Sequence, residues 1–432
     1  MIALNYLYFL IITMLLLQYL QRRSRKVKHP LLQSEILTFS GPEMFWTLLF
    51  STGLLALSAP AGLDLMALRL LTLEIFCLLC LSYAKGKPAF PLPVICYIIF
   101  MLWLGVGCFY SPAPAFGVRV MLKYLYPLVV CLAASAVVRR PEVMLKAALG
   151  ARTVALAAWL ITFTFVEHML FPGVFWYSTA RAINYISICM FSLAVYFYLG
   201  RERKNLLYAI LFILPCILWV FRTSIMGTAA GLMVFSLFRY KIKAVPVIAL
   251  IAVLGIACVF YVPAVKQKMF KDDTVTLTDF VNGRVNQDNI ESNARFAMWE
   301  YFEERFYKDK EIQGSGTGAA QHHFYNNFLF GGLKVLHSDI VQMKCDNGLV
   351  ALWMYYSSVT LMITHAFVIF RRSNIRWIKI CAITAGSSMA GVAVTMYSDN
   401  VVNYSMCTLS YPFGFYGMTL GLLKAGKKGL LA

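Results

Sequence analysis

The sequence predicts an all-α fold: a polytopic transmembrane helical bundle of about 12–13 helices, with one long external loop near the C-terminal third. Three observations predict it. Of 432 residues, 60% are hydrophobic and only 14% charged, whereas a soluble domain carries about 25% charged residues. Apolar runs recur along the whole chain, and runs of roughly 18 or more residues read as membrane spans. Lys and Arg fall in short islands between those runs, the pattern of cytoplasmic loops. Together these exclude an ordinary soluble enzyme, a disordered chain and a disulfide-stapled secreted domain.

The islands are Arg22 to Lys28, Lys85 and Lys87, Arg139 to Lys146, and Arg201 to Lys204. Then come Arg239 to Lys243, Arg371 to Lys379, and Lys424 to Lys428. The formal net charge of +19 therefore suits a membrane surface with anionic lipids. A nucleic-acid reader would gather its cations on one soluble face with aromatics between them, so no nucleic-acid partner is expected. Acidic residues are placed differently: 11 of the 20 lie in 263–345, beside 10 cations. That segment is nearly neutral and has the composition of a solvated loop.

The spans follow in order at about 2–20, 43–60, 64–84, 92–110, 117–138, 147–170, 183–200, 205–221, 224–238, 244–262, 346–370, 376–397 and 405–423. Residues 1–432 thus form a single integral membrane domain with 263–345 as a loop within it. With the basic islands inside, the N-terminus falls outside and the C-terminus inside. The first run precedes its positive charges, the reverse of a signal peptide, which predicts a retained helix. Helices are required because lipid offers no partner for unpaired backbone groups. The alternating ten-residue strands of a barrel are absent. Residues 206–238 carry one charge, Arg222. A single helix of that length would reach roughly 50 Å, against a hydrocarbon core of about 30 Å. Two short spans with Arg222 at their outer turn resolve the mismatch.

Within 263–345, Phe296, Trp299, Phe302 and Phe306 share one face of a helical patch over 293–308. It lies on the membrane surface or caps the bundle. Gly314-Ser-Gly-Thr-Gly318 is a flexible turn without the Lys-Ser/Thr of a phosphate-binding loop. The 11 cysteines sit mostly in apolar runs and act as small hydrophobes. Cys77 and Cys80 form a C-x-x-C inside an apolar helix, a poor setting for redox or metal chemistry. No paired metal-ligand spacing occurs, so neither metal nor cofactor is expected.

Charges within or beside spans are costly and tend to be functional. They are Arg69, Glu74, Arg119, Lys123, Glu167, Arg181, Arg222, Asp346 and Asp399, most of them toward the outer side. Arg119 and Lys123, four apart, share a helix face. Cations gathered at one membrane face suit an anionic ligand such as a lipid diphosphate, which Arg grips with two parallel hydrogen bonds. The bland alternative for each is snorkelling or helix capping. The loop adds Arg295, four residues before Trp299, and His337-Ser338-Asp339 ahead of Gly348. A His at the mouth of a membrane bundle can serve as a general base, although a lone external His is more often structural.

Taken in order, these motifs resemble the superfamily of O-antigen ligases and O-antigen polymerases, bacterial membrane glycosyltransferases. The matching residues are Arg222-Thr-Ser at the outer start of a helix, Arg295 with Trp299, and the 314–318 turn. His337-Ser338 follows, and Gly348, eleven residues after the His, opens the next helix. The motifs cover roughly residues 181–420. Phe221 stands where the family often has Ser, and Ala351 replaces a common second Gly. His-Ser in place of His-Asn looks more like the polymerases than the ligases.

The resemblance implies an inner-membrane glycosyltransferase with its active face, and the 263–345 loop, in the periplasm. Its donor would be a glycan on undecaprenyl diphosphate, and its acceptor a glycan or lipid A core. In that reading His337 takes the proton of the acceptor hydroxyl, while Arg222, Arg295 and Arg181 hold the diphosphate. Arg119 and Lys123 are further candidates for the anion site. Asp339 orients His337 or caps a helix. Metal-independent inversion is the family expectation. The alternative is a flippase or exporter of lipid-linked glycan, which would place cations along a central cavity between internal repeats. A non-catalytic scaffold would need neither the His nor the Arg set.

Overall fold

The computed structural model describes residues 25–27, 37–53, 66–163, 179–427 and 429, apart from 219, 273, 287–288, 293, 328 and 331–334. Within them every predicted span contains a helix, the last beginning at Ser410 instead of 405. The run at 2–20 and Glu167 lie outside the described residues, as do parts of the runs at 43–60 and 147–170. The first helices are α1 (Gly41–Thr52), α2 (Met66–Tyr83), α3 (Leu92–Phe109), α4 (Pro114–Val137), α5 (Pro141–Phe163) and α6 (Thr179–Tyr198). Next come α7 (Arg203–Leu218), α8 (Arg222–Tyr240) and α9 (Val245–Tyr261). The loop folds as short helices: α10 (Pro263–Met269), α11 (Leu277–Val281), α12 (Arg295–Phe306) and α13 (Ala319–Asn326). The last three are α14 (Asp339–Arg372), α15 (Arg376–Thr395) and α16 (Ser410–Lys427). Six helical stretches among the described residues are long and apolar enough to cross a membrane. One small departure from an all-helical reading is an antiparallel ribbon in the first basic island, β1 (Arg25–Val27) with β2 (Leu37–Phe39).

Local chemistry sets the helix ends. Pro lies in the first turn of α3 and α4, and α5 begins at Pro141, where a missing N–H costs nothing and φ is already helical. Ser40 and Glu43 form a capping box at α1. The long run at 206–238 breaks as its length requires. Val220 takes a left-handed φ of 51°, and α8 restarts at Arg222. Lys241, with φ 53°, opens a 3-10 turn that separates α8 from α9. No residue of α9 is buried by the rest of the chain. Apolar on all sides, it suits a helix that faces lipid.

Between helices in lipid, packing replaces the hydrophobic drive. The α8–α15 seam closes where Gly227 meets Gly391, since a Cβ on Gly227 would strike the Gly391 carbonyl. An aromatic knot of Tyr97, Phe100, Tyr124 and Tyr355 joins α3, α4 and α14, with ring centroids 5.2–6.0 Å apart. The Tyr97 hydroxyl donates to the Tyr124 carbonyl at 2.9 Å. All 11 cysteines are free thiols.

The bundle has two unlike ends. The basic islands collect where α2, α4, α6, α8 and α14 finish. The 263–345 segment covers the other end, where α4, α8 and α14 begin. There α12 buries Met298, Trp299 and Phe302 against Phe324, Leu336, Val341 and Cys345, so it caps the bundle. The glycine turn is also fastened rather than free. Gly348 leaves the helical region at φ 70°, ψ −172°, splitting α14 after Asn347. The turn fills that break: the Ser315 and Gly316 N–H groups donate to the Cys345 and Asp346 carbonyls at 2.9 and 2.8 Å. Leu349 N–H answers with the Glu311 carbonyl at 2.7 Å. Thr317 Oγ1 donates to Leu104 and accepts from Asn347 Nδ2, which ties α3 to the same point.

Candidate functional site

The connection between α15 and α16, residues 396–409, is the hub of the loop end. Four side chains reach its segment 397–400 from three parts of the chain. Arg295 opens α12 directly after Ala294, whose φ of 61° turns the chain sharply. Its Nη1 donates to the Ser398 carbonyl at 2.6 Å. Thr223, next to Arg222 on α8, meets the Ser398 hydroxyl at 3.1 Å. The Trp299 ring lies edge-on to Tyr397 at 5.6 Å, and its Nε1 donates to the Leu336 carbonyl at 2.9 Å. That bond fixes the residue before His337. His337 itself has φ 51°, a conformation that costs a bulky residue energy and tends to persist where surroundings impose it. Its Nδ1 stands 3.9 Å from Asp399 Oδ1.

That separation is too long for a hydrogen bond. Neither His337 Nδ1 nor Asp399 Oδ2 has a partner among the described residues. Asp399 Oδ1 accepts from the Asn400 N–H at 2.8 Å. The His337 side chain keeps 28% of its surface exposed while Asp399 keeps 7%. A buried carboxylate therefore stands behind a partly open imidazole.

Arg222 works on the loop instead. Its Nη1 donates to the carbonyls of Lys268 and Glu291, pinning both arms of the 263–292 hairpin to the start of α8. In each guanidinium only Nη1 is engaged among the described residues, leaving Nε and Nη2 as donors. Burial lowers the Arg295 guanidinium somewhat, and Asp399 opposes the shift.

Other sequence candidates are placed as follows. Asp339 is the first residue of α14, after the capping Ser338, whose hydroxyl accepts from Val341 N–H at 3.2 Å. Its carboxylate accepts from the Val402 N–H at 3.0 Å and its own N–H reaches the Met396 carbonyl. It thus braces the connection that carries Asp399. Lys123 is buried in α4, with Nζ 2.5 Å from Asn403 Oδ1 on the same connection. Arg119, a turn earlier, holds its guanidinium over Phe116 at 5.2 Å. Arg181 lies in the first turn of α6, and its side chain is outside the described residues. Asp346 accepts from the Ala320 N–H at 2.8 Å and supports the glycine turn. The neighbours of His337 that sequence reasoning left without a role are Asp399, Ser398 and Tyr397. Asp399 was visible as a carboxylate at a span end, but nothing in the spacing ties it to a residue 62 positions earlier.

A polytopic helical membrane protein with a His–Asp pair and two arginines at one end of its bundle is the class these features define. A family model described as O-antigen ligase matches residues 207–356. The matched region runs from α7 into α14 and holds Arg222, Arg295, His337 and Gly348. The resemblance drawn from the motifs is thereby borne out. The match covers 150 of the 432 residues, and over that stretch the chain is similar to the O-antigen ligase family. No curated protein matches the chain.

Proposed function

We propose that the chain transfers a glycan from undecaprenyl diphosphate to an acceptor hydroxyl at the loop end of the bundle. The reading places that end in the periplasm of a bacterial inner membrane. It favours joining repeat units to one another over joining them to lipid A core. The observation that carries it is the convergence of His337, Arg295 and Thr223 on segment 397–400, with Arg222 next to Thr223 at the start of α8.

In this mechanism the acceptor oxygen attacks the anomeric carbon as its proton passes to His337. The bond from that carbon to the diphosphate breaks, and the electron pair leaves with the diphosphate. Arg222 and Arg295 each offer Nε and Nη2 to the growing charge. In this reading Arg181 adds a third cation, and Arg119 a more distant one. Lys123, held by Asn403, supports the connection from beneath. Asp399 orients His337 through Nδ1, closing a gap of about 1 Å when substrate binds, as catalytic contacts often do. Attack from the face opposite the diphosphate inverts the anomeric centre, and no metal takes part. Ser338 caps α14, a task Asn performs equally well, so the polymerase preference is decided by product analysis.

The test is the surface glycan profile of cells lacking the gene, run on a gel that resolves chain length. A single repeat unit on lipid A core means polymerase. Accumulated lipid-linked chains with no attached repeats mean ligase. Complementation with His337→Ala or Arg222→Ala should restore neither profile. Normal glycans from both variants, expressed at the level of the parent, would sink the assignment.

A further inference from the structure

A cavity of about 480 Å³ opens at the basic end, far from the transfer site. Its wall is made by the starts of α1 and α5, the end of α4 and the turn after α2. Helix α4 begins beside the glycine turn and ends in this wall. Its 24 residues at about 1.5 Å each put the two sites roughly 35 Å apart.

Four charged residues line it: Glu43, Lys85, Arg139 and Arg140. Glu43 is fully engaged. It takes Arg140 Nε and Nη2 at 3.0 and 2.7 Å, and the Ser40 N–H at 2.8 Å. Arg140 is further fixed over the Phe39 ring at 5.6 Å. Lys85 and Arg139 find no carboxylate among the described residues. The wall therefore holds two positive charges in excess, on a frame locked by the Arg140–Glu43 pair. Helices α1 and α5, of 12 and 23 residues, also begin here with their partly positive ends.

The surroundings point to lipid. Lys85 follows Tyr83 by two residues, and Phe90 and Leu92 follow soon after. These three are 56%, 52% and 64% exposed, as residues against acyl chains would be. Gly86 between them is buried, with the Ala136 carbonyl and the Arg139 side chain where a Cβ would stand, so this turn is seated in the wall. Excess cations in a cavity, bordered in sequence by apolar residues open to the bilayer, match a phosphodiester carried on acyl chains. We propose that this cavity binds the phosphate headgroup of an anionic phospholipid, in the leaflet opposite the transfer site. Lys85 and Arg139 contact the phosphate, and the Arg140–Glu43 pair holds the walls apart.

The test uses the full chain, extracted from nanodiscs of phosphatidylcholine with a minor share of phosphatidylglycerol and read by native mass spectrometry. The parent should retain a phosphatidylglycerol through delipidation. Lys85→Ala with Arg139→Ala should weaken that retention on the order of tenfold or more. The charge-preserving pair Lys85→Arg with Arg139→Lys should keep it, which leaves the test readable if the alanine pair does not fold. Lys241→Ala with Lys243→Ala, in another basic island, should also keep it. Equal loss from that control pair would mean general surface attraction and overturn the proposal. Displacement of the lipid by millimolar inorganic phosphate or glycerol phosphate would identify a soluble anion as the occupant, and would overturn it too.

Discussion

The two ends of the bundle both carry cations, and what each guanidinium touches separates them. At the loop end Arg222 and Arg295 donate to main-chain carbonyls of Glu291 and Ser398, across 69 and 103 residues of sequence. They join separate elements around a His–Asp pair. At the basic end Arg239 meets side chains of α6: its guanidinium lies over Phe197 at 4.1 Å and reaches the Tyr198 hydroxyl at 3.3 Å. It finishes a helix against its neighbour. The same residue type therefore finishes a helix at one end and joins distant elements at the other. For these guanidiniums the distinguishing sign is a main-chain rather than a side-chain partner.

The strongest way to break this comparison is one substitution made at both ends. Arg295→Lys keeps the charge but loses the planar fork. It should lower the rate of glycan transfer in proteoliposomes by about 10²–10³-fold, the scale for losing one donor to a developing anion. Arg239→Lys should change that rate by less than about twofold. Similar losses from both would show that the loop-end arginines have no special role.

A smaller effect sharpens the assignment within the loop end. Asp399→Asn keeps an acceptor for the Asn400 N–H and removes the charge facing His337. It should lower kcat by about 10–100-fold with KM little changed, less than a tightly bonded triad carboxylate would. Asp339→Asn should do the opposite. Its carboxylate serves Val402, so the loss appears as a lower Tm with turnover per folded molecule kept. If Asp339→Asn is the one that removes turnover, the two carboxylates have exchanged roles: Asp339 serves the chemistry and Asp399 the fold.

The support beneath the site comes next. Gly348 combines φ 70° with a backbone neighbour, the Ile312 carbonyl, where a Cβ would stand. Gly348→Ala should cost about 1–3 kcal/mol from the conformation alone, read as a lower unfolding midpoint in detergent. An unchanged midpoint would mean that the break in α14 moves freely.

Much of this was legible in the sequence. Hydropathy located the spans, because lipid imposes a length that soluble cores do not. The break within 206–238 followed from that length and from the basic islands on either side of it, and the α12 cap from the spacing of its aromatic face. What escaped were pairings made by tertiary packing. Asp399 lies 62 residues beyond His337, and tertiary contacts such as Asp339 with Val402 and Arg295 with Ser398 bring them together. The Gly314–Gly318 turn looked flexible because its partners, the Cys345 and Asp346 carbonyls, are freed only by a helix break that a single Gly348 announces weakly. Composition likewise gave no hint of the cavity between Lys85 and Arg139, since its walls come from four separate segments.

The smallest expected effect concerns protons, and it too is specific to the loop end. His323 on α13 packs among Tyr301, Phe302 and Phe306 and shares a hydrogen bond with the Tyr301 hydroxyl at 3.1 Å. Burial lowers its pKa, and the charges of Arg305 and His322 add to the shift. The unfolded chain therefore binds this proton more readily than the folded one. The stabilising contribution is complete above the ordinary His value of about 6.5 and is lost as pH falls through it toward the lower folded value. Because the ring is only partly buried, solvent screens much of the effect. The thermal midpoint should drop between pH 7.5 and pH 5.5, with His323 responsible for less than about 2 °C of it. His323→Gln should remove that share and leave glycan transfer at neutral pH intact. An identical pH slope in the variant would assign the titration to another group, and a loss of transfer would extend the functional surface from His337 to α13.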